Sequence, residues 1–137
     1  MKNVVMNRRS VYPKMFDSPE VTVEEVKSLL EFARWAPNHK NTQPWNFVVF
    51  HGKGKETLLR AQTAYLQISL AGSDMLVAKQ DKLRLNASKS GAVIAIVMKR
   101  DTAQRLPVWE EMAAVTCAVQ NMWLVASELG LGGYWST

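Results

Sequence analysis

Cysteine is almost absent from this chain of 137 residues: Cys117 stands alone. That excludes a disulfide within the chain and any zinc site that needs paired thiolates. It fits a reducing compartment, and a cytoplasmic protein is expected. Long apolar runs are lacking too. A membrane-crossing helix takes about 20 consecutive apolar residues, no stretch comes near that, and no membrane association is expected. The first ten residues, MKNVVMNRRS, hold neither a long apolar core nor a small-residue cleavage site, so they do not read as a secretory signal. There is no internal repeat and no low-complexity segment. H-E-x-x-H, the P-loop and G-x-S-x-G are all missing, which leaves no metal site and no hydrolytic centre to assign.

Acidic residues are outnumbered, 12 Asp and Glu against 17 Lys and Arg, for a net charge of +5. The excess suits an anionic ligand such as a phosphate-bearing cofactor. The basic residues are scattered and no recognition motif accompanies them, so no nucleic-acid partner is expected. Hydrophobic residues make up 47% of the chain, enough for one packed domain over residues 1–137.

The pattern predicts a mixed α and β chain. Residues 2–7 read as a short helix. A longer helix follows Thr22, which forms a capping box with Glu25, and Val23, Val26, Leu29, Leu30 and Ala33 mark its apolar face. Pro37 ends it. Residues 46–50 alternate as a strand, residues 55–71 read as a helix, and residues 73–90 form a polar, basic excursion that contains a helix. GAVIAIVMK, from Gly91, reads as a strand covered on both faces. A long helix spans residues 108–129, with a stripe of Met112, Val115, Val119, Met122, Trp123 and Ala126 and with Gly130 as C-cap. Residues 134–137 look like the start of a further strand.

Three stretches carry chemistry. In "RRS", Arg8 and Arg9 offer guanidinium forks and Ser10 a hydroxyl, which together suit a phosphate; a solvated basic surface is the plainer alternative. In "WAPNHKNTQPWNFVVF" donors and acceptors fill residues 38–43 between Pro37 and Pro44, which restrict the loop. As a whole it favours a site for a flat, polar-edged ring; each residue by itself could equally cap the loop's own backbone. In "LGLGGYWST" glycines permit close approach and Trp135 can lie against a ring system, or the segment is a helix cap and a tight turn. Cys117 reads as a structural thiol, His51 as a surface residue, and Glu110 with Glu111 as dipole-matching acids at a helix start.

In this order, "RRS", "APNHKNTQPW" and "CAVQNMWLVASELGLGGYWS" resemble the nitroreductase family of flavoproteins, in its branch of small NAD(P)H nitroreductases with A-P-D-H-K-x-x-Q-P-W at the second place. The resemblance covers nearly the whole chain. It implies an α+β, three-layer fold, with a small central mixed sheet flanked by helices and a long central helix that forms a homodimer. It implies FMN at the dimer interface. Arg8, Arg9 and Ser10 would hold the phosphate and ribityl end. Pro37, Asn38, His39 and Gln43 would line the flavin, Trp35 and His39 would reach the partner subunit's cofactor, and Trp135, Ser136 and Thr137 would contact it from the far side. The implied activity is ping-pong hydride transfer from NADH or NADPH, through the flavin, to a small-molecule acceptor such as a nitroaromatic or quinone. The chemistry would belong to the cofactor, and no catalytic side chain is assigned. Two departures are also implied. Val11, Tyr12 and Pro13 stand where relatives often have a further basic residue. The family fold continues beyond Y-W-S, so its C-terminal part is expected to be missing. The alternative on the same fold is a shortened flavin-binding and dimerisation module with little or no turnover.

Overall fold

The computed structural model describes residues 2–136. Five helices and two strands follow in the order α1 (Lys2–Asn7), α2 (Val23–Ala33), β1 (Trp45–His51), α3 (Lys53–Ser69), α4 (Met75–Lys89), β2 (Ala92–Met98) and α5 (Val108–Glu128). Short 3-10 turns lie at Pro13–Met15 and His39–Asn41.

α2 begins as its sequence predicts. The Glu25 amide donates to Thr22 Oγ1 at 3.1 Å, and the Thr22 amide donates back to Glu25 Oε2 at 2.7 Å. The helix closes earlier than Pro37. The amides of Arg34, Trp35 and Ala36 reach back three residues to Glu31, Phe32 and Ala33, and this tighter last turn satisfies carbonyls that a proline could not.

Buried Leu29, Ala33 and Ala36 meet Ala118, Val119, Met122 and Ala126 of α5 to form the core. The buried face of α5 recurs at 111, 114, 115, 118, 119, 122 and 126, helical spacing that starts from Glu111. Met112, placed by sequence on that stripe, is instead 55% exposed, because it lies one residue, about 100° of helix turn, beyond the buried line. α5 ends in a Schellman motif: Gly130 takes φ +75°, and the Leu131 amide donates to the Ala126 carbonyl at 2.8 Å.

β1 and β2 pair antiparallel, with Phe47 opposite Ile96 and Val49 opposite Ile94. Trp45, Phe47, Ile94 and Ile96 lean on the core. β2 is not covered on both faces as its unbroken apolar run suggests: its residues are half-buried and Val97 is exposed. Among the described residues the sheet has two strands, and α5 and α3 both pack against it. The described sheet is antiparallel; the single parallel bridge, Ser10 to Gly133, lies outside it. Tyr134, Trp135 and Ser136 do not form a strand; Thr137 lies outside the described residues. The 73–90 excursion is resolved into one continuous helix, α4, packed as a hairpin on α3. Among the described residues no helix is long and apolar enough to cross a membrane.

Candidate functional site

The loop between α2 and β1 is pinned at both ends. Ala36 is buried in the core, Pro44 is fully buried, and the Lys99 amide donates to the Pro44 carbonyl at 2.8 Å. Between these anchors Lys40, Asn41 and Gln43 adopt φ of 52°, 52° and 44°. Three side-chain-bearing residues in the left-handed region within four positions is costly backbone, of the kind that persists where surroundings over-determine it. Asn38 supplies part of that determination: its Oδ1 accepts from the Gln43 amide at 3.0 Å and its Nδ2 donates to the Ala36 carbonyl at 3.4 Å. Asn38 thus shapes the loop, a role its polarity did not distinguish from ligand contact. The Thr42 hydroxyl is buried without a partner among the described residues.

This loop faces α5 across an open cleft of about 440 Å³ lined by Pro37, Asn38 and His39 on one side and by Trp109, Glu110, Ala113, Ala114 and Cys117 on the other. The α5 wall follows helical spacing, with 110, 113, 114 and 117 on one face. Its two alanines make a low, smooth surface beside the exposed Trp109 indole, a shape that accepts a planar ring. His39 Nδ1 lies 2.7 Å from Glu110 Oε2, which closes one edge of the cleft. Sequence reading missed all five α5 residues as cleft residues. Glu110 and Glu111 were read as helix-start acids, and only the i, i+3, i+4, i+7 spacing of Glu110, Ala113, Ala114 and Cys117 could have hinted at a shared face.

Glu111, one residue on, is turned into the core and is fully buried. Its Oε2 accepts from Arg100 Nε at 2.7 Å and its Oε1 from the Asp101 amide at 2.8 Å. The hydrogen bond from Arg100 and that from the Asp101 backbone hold its carboxyl below the usual range. Asp101 is gripped in turn by the Arg105 guanidinium and amide, and its carboxyl is lowered to about 2. This chain of charges fixes the loop that leads into α5 and so sets the α5 wall of the cleft.

The remaining sequence-predicted residues gather elsewhere. Arg8 lies over the Trp123 ring at 4.7 Å, with its Nη1 buried and without a hydrogen-bond partner among the described residues. Arg9 Nη1 donates to the Met6 and Arg8 carbonyls at 2.6 and 2.9 Å. Ser10 bridges Gly133, where the Val11 amide donates to the Gly133 carbonyl at 3.0 Å. The rings of Tyr12 and Tyr134 pack at 4.7 Å, and Trp135 and Ser136 are exposed just beyond. The N-terminal basic segment and the Y-W-S segment are therefore neighbours. They are not part of the cleft lining; from Cys117 to Trp123 is about 9 Å of helix rise. Gln43 and Trp35 are exposed and do not line the cleft; Trp35 is 75% exposed. Thr137 lies outside the described residues.

These features suit a flat, phosphate-bearing cofactor. Among the described residues neither Arg8 nor Arg9 is paired with a carboxylate, and Arg8 keeps a buried donor unused. The described residues contain no cluster of His, Cys, Asp and Glu able to hold a metal ion.

Comparison with known proteins gives concordant matches. The pattern of the nitroreductase family fits residues 5–137. The Escherichia coli K12 protein "Putative NAD(P)H nitroreductase YdjA" is 33% identical over 133 residues, which cover 96% of this chain and 69% of that protein. A Bacillus subtilis protein of the same descriptive name, YfhC, is 27% identical over 138 residues, covering 69% of its length. Among solved structures, a nitroreductase-like family protein from Bacillus cereus superposes with a TM-score of 0.80 at 32% identity, covering 99% of this chain and 68% of that one. A Desulfovibrio desulfuricans protein solved in complex with FMN superposes with a TM-score of 0.70 at 26% identity, covering 99% and 67%.

Proposed function

This chain belongs to the nitroreductase family and is an oxidoreductase, and from that premise we propose that it binds FMN and carries reducing equivalents from NADH or NADPH to a small-molecule acceptor, a nitroaromatic or a quinone, by alternating half-reactions. The observation that carries the reading is the cleft itself: a pinned polar loop facing a smooth α5 wall beside an exposed indole. The complex of the Desulfovibrio relative with FMN supports the choice of cofactor.

FMN, when bound, supplies reversible two-electron hydride chemistry. The protein's own residues bind, orient and enclose. Arg8, Arg9 and Ser10 are assigned to the phosphate, where guanidinium forks and a hydroxyl donate charge-assisted hydrogen bonds. Pro37, Asn38 and His39 line the ring, and Trp135, Ser136 and Thr137 close its far side. The basic segment and the cleft sit at different places along α5, and the site is assigned to a homodimer in which a second copy completes it, with Trp35 and His39 reaching across. Exposed Trp109 and Met112 on α5, with Phe32 and Trp35 at the end of α2, form the apolar surface such a homodimer would cover. One domain over residues 1–137 is proposed, working in the cytoplasm.

Titrating the purified protein with FMN and recording the visible spectrum tests the reading. Retained flavin absorbance is expected, and a preparation that takes up no flavin overturns it. Oxidation of NADH or NADPH with a quinone, giving parallel double-reciprocal lines, is expected for alternating half-reactions. Flavin binding without such oxidation would identify a binding module on the same fold.

A further inference from the structure

We propose that His39 delivers a proton to the acceptor and that Glu110 is the positioning residue that holds the His39 ring for this task; the inference rests on the flavin reading above. The two side chains come from opposite walls of the cleft and meet at 2.7 Å through His39 Nδ1 and Glu110 Oε2. A carboxylate only accepts hydrogen bonds, so the ring nitrogen that faces it carries the hydrogen. Nδ1–H is thereby fixed, and Nε2 is left as the working nitrogen. Nε2 has no partner among the described residues, while the ring is 60% exposed. The other charged groups near the pair are engaged elsewhere: Lys40 Nζ donates to the Arg105 carbonyl at 3.3 Å, and the Arg105 guanidinium is held by Asp101. Cys117 lines the same cleft.

The chemistry of the acceptor requires a proton, and a held imidazole in the cleft is placed to deliver it. A quinone that receives a hydride needs one further proton to become a hydroquinone. A nitro group that receives a hydride needs one further proton to leave as a nitroso compound and water. In the imidazolium form of His39 both nitrogens carry hydrogen, Nδ1 facing Glu110 and Nε2 facing the open cleft. An O–H bond forms at the acceptor oxygen as the Nε2–H bond breaks, and the electron pair of that bond stays on Nε2. The ring is left neutral, its Nδ1–H still donating to Glu110, ready to be reprotonated at Nε2 by solvent. The start of α5 has a second anchor of its own in the contact of Glu111 with Arg100.

The test uses the full chain loaded with FMN. Long-range nitrogen–proton NMR of the two imidazoles reads which nitrogen of His39 is protonated. Turnover with a quinone is compared with turnover with ferricyanide, an electron acceptor that takes no proton. Wild type is expected to show a persistent Nδ1 hydrogen on His39, and Glu110→Ala to lose it. The quinone-to-ferricyanide ratio should fall at least tenfold in His39→Gln and at least threefold in Glu110→Ala, with Glu110→Asp recovering part of the loss. Ratios equal to wild type overturn proton delivery. An Nδ1 hydrogen that survives Glu110→Ala overturns the positioning role. A wild-type chain that retains no FMN overturns instead the reading on which the inference rests.

Discussion

Arg8 shows how one side chain can be held and yet left free to bind. Its guanidinium lies over the Trp123 ring, a cation–π contact. One terminal nitrogen is buried and has no hydrogen-bond partner among the described residues. An unused charged donor of this kind is costly unless a ligand completes it. Arg8→Ala should therefore weaken FMN retention by tenfold or more, measured by equilibrium dialysis, while thermal unfolding of the flavin-free chain changes little. Retention equal to wild type would refute the phosphate assignment. Arg9 is spent partly on the Met6 and Arg8 carbonyls, so Arg9→Ala should weaken retention less.

Among the elements, α2 and α5 owe their starts to different physics. α2 depends on one local device. Removing a capping side chain of this type costs about 1 kcal/mol, so Thr22→Ala should lower the unfolding free energy by about that much, read as a lower denaturant midpoint with an unchanged slope. α5 depends on the distant Arg100–Glu111 contact and on Asp101 with Arg105. The Asp101 carboxyl is lowered from 3.8 to about 2 and that of Glu111 lies below 4.5. Carboxyls depressed in the folded state bind more protons when unfolded, so their contribution is present above the ordinary values and is lost as pH falls through the depressed ones. Acid unfolding of wild type should steepen between pH 3.8 and about 2, and Asp101→Asn should flatten that part of the curve. An unchanged curve would show that Asp101 does not couple folding to protons.

Over the whole molecule, the two halves of the candidate site and the exposed apolar faces point to the same arrangement. Met112 is 55% exposed and Trp109 68% exposed, so neither is needed for the fold of one chain. A charge placed there is tolerated by a monomer and is expensive inside an interface, where it loses its water. Met112→Lys should leave thermal unfolding of the single chain nearly unchanged, should convert a dimer to a monomer by sedimentation, and should lower FMN retention with it. A wild-type chain that sediments as a monomer with bound flavin would refute the shared site.

The sequence by itself determined what local chemistry can determine. Thr22 with Glu25 fixed the start of α2, Gly130 fixed the end of α5, and the alternation in β1 fixed which side chains lean inward. The R-R-S, A-P-N-H-K and Y-W-S stretches pointed to the family because each is a contiguous run. Contacts between distant segments left no such mark. Met112 and Glu111 differ by one residue, and only packing against α2 and the Arg100 loop decided that the acid goes in and the methionine stays out. An unbroken apolar run could not tell whether β2 is covered on one face or two, since that depends on what other layers surround it. The meeting of His39 with Glu110 across 71 residues, and the separation of Arg8 from the cleft along α5, follow from how the loop and the helix are set against the core. Side-chain type announces what a residue can bind, but only tertiary packing decides which partner stands within reach.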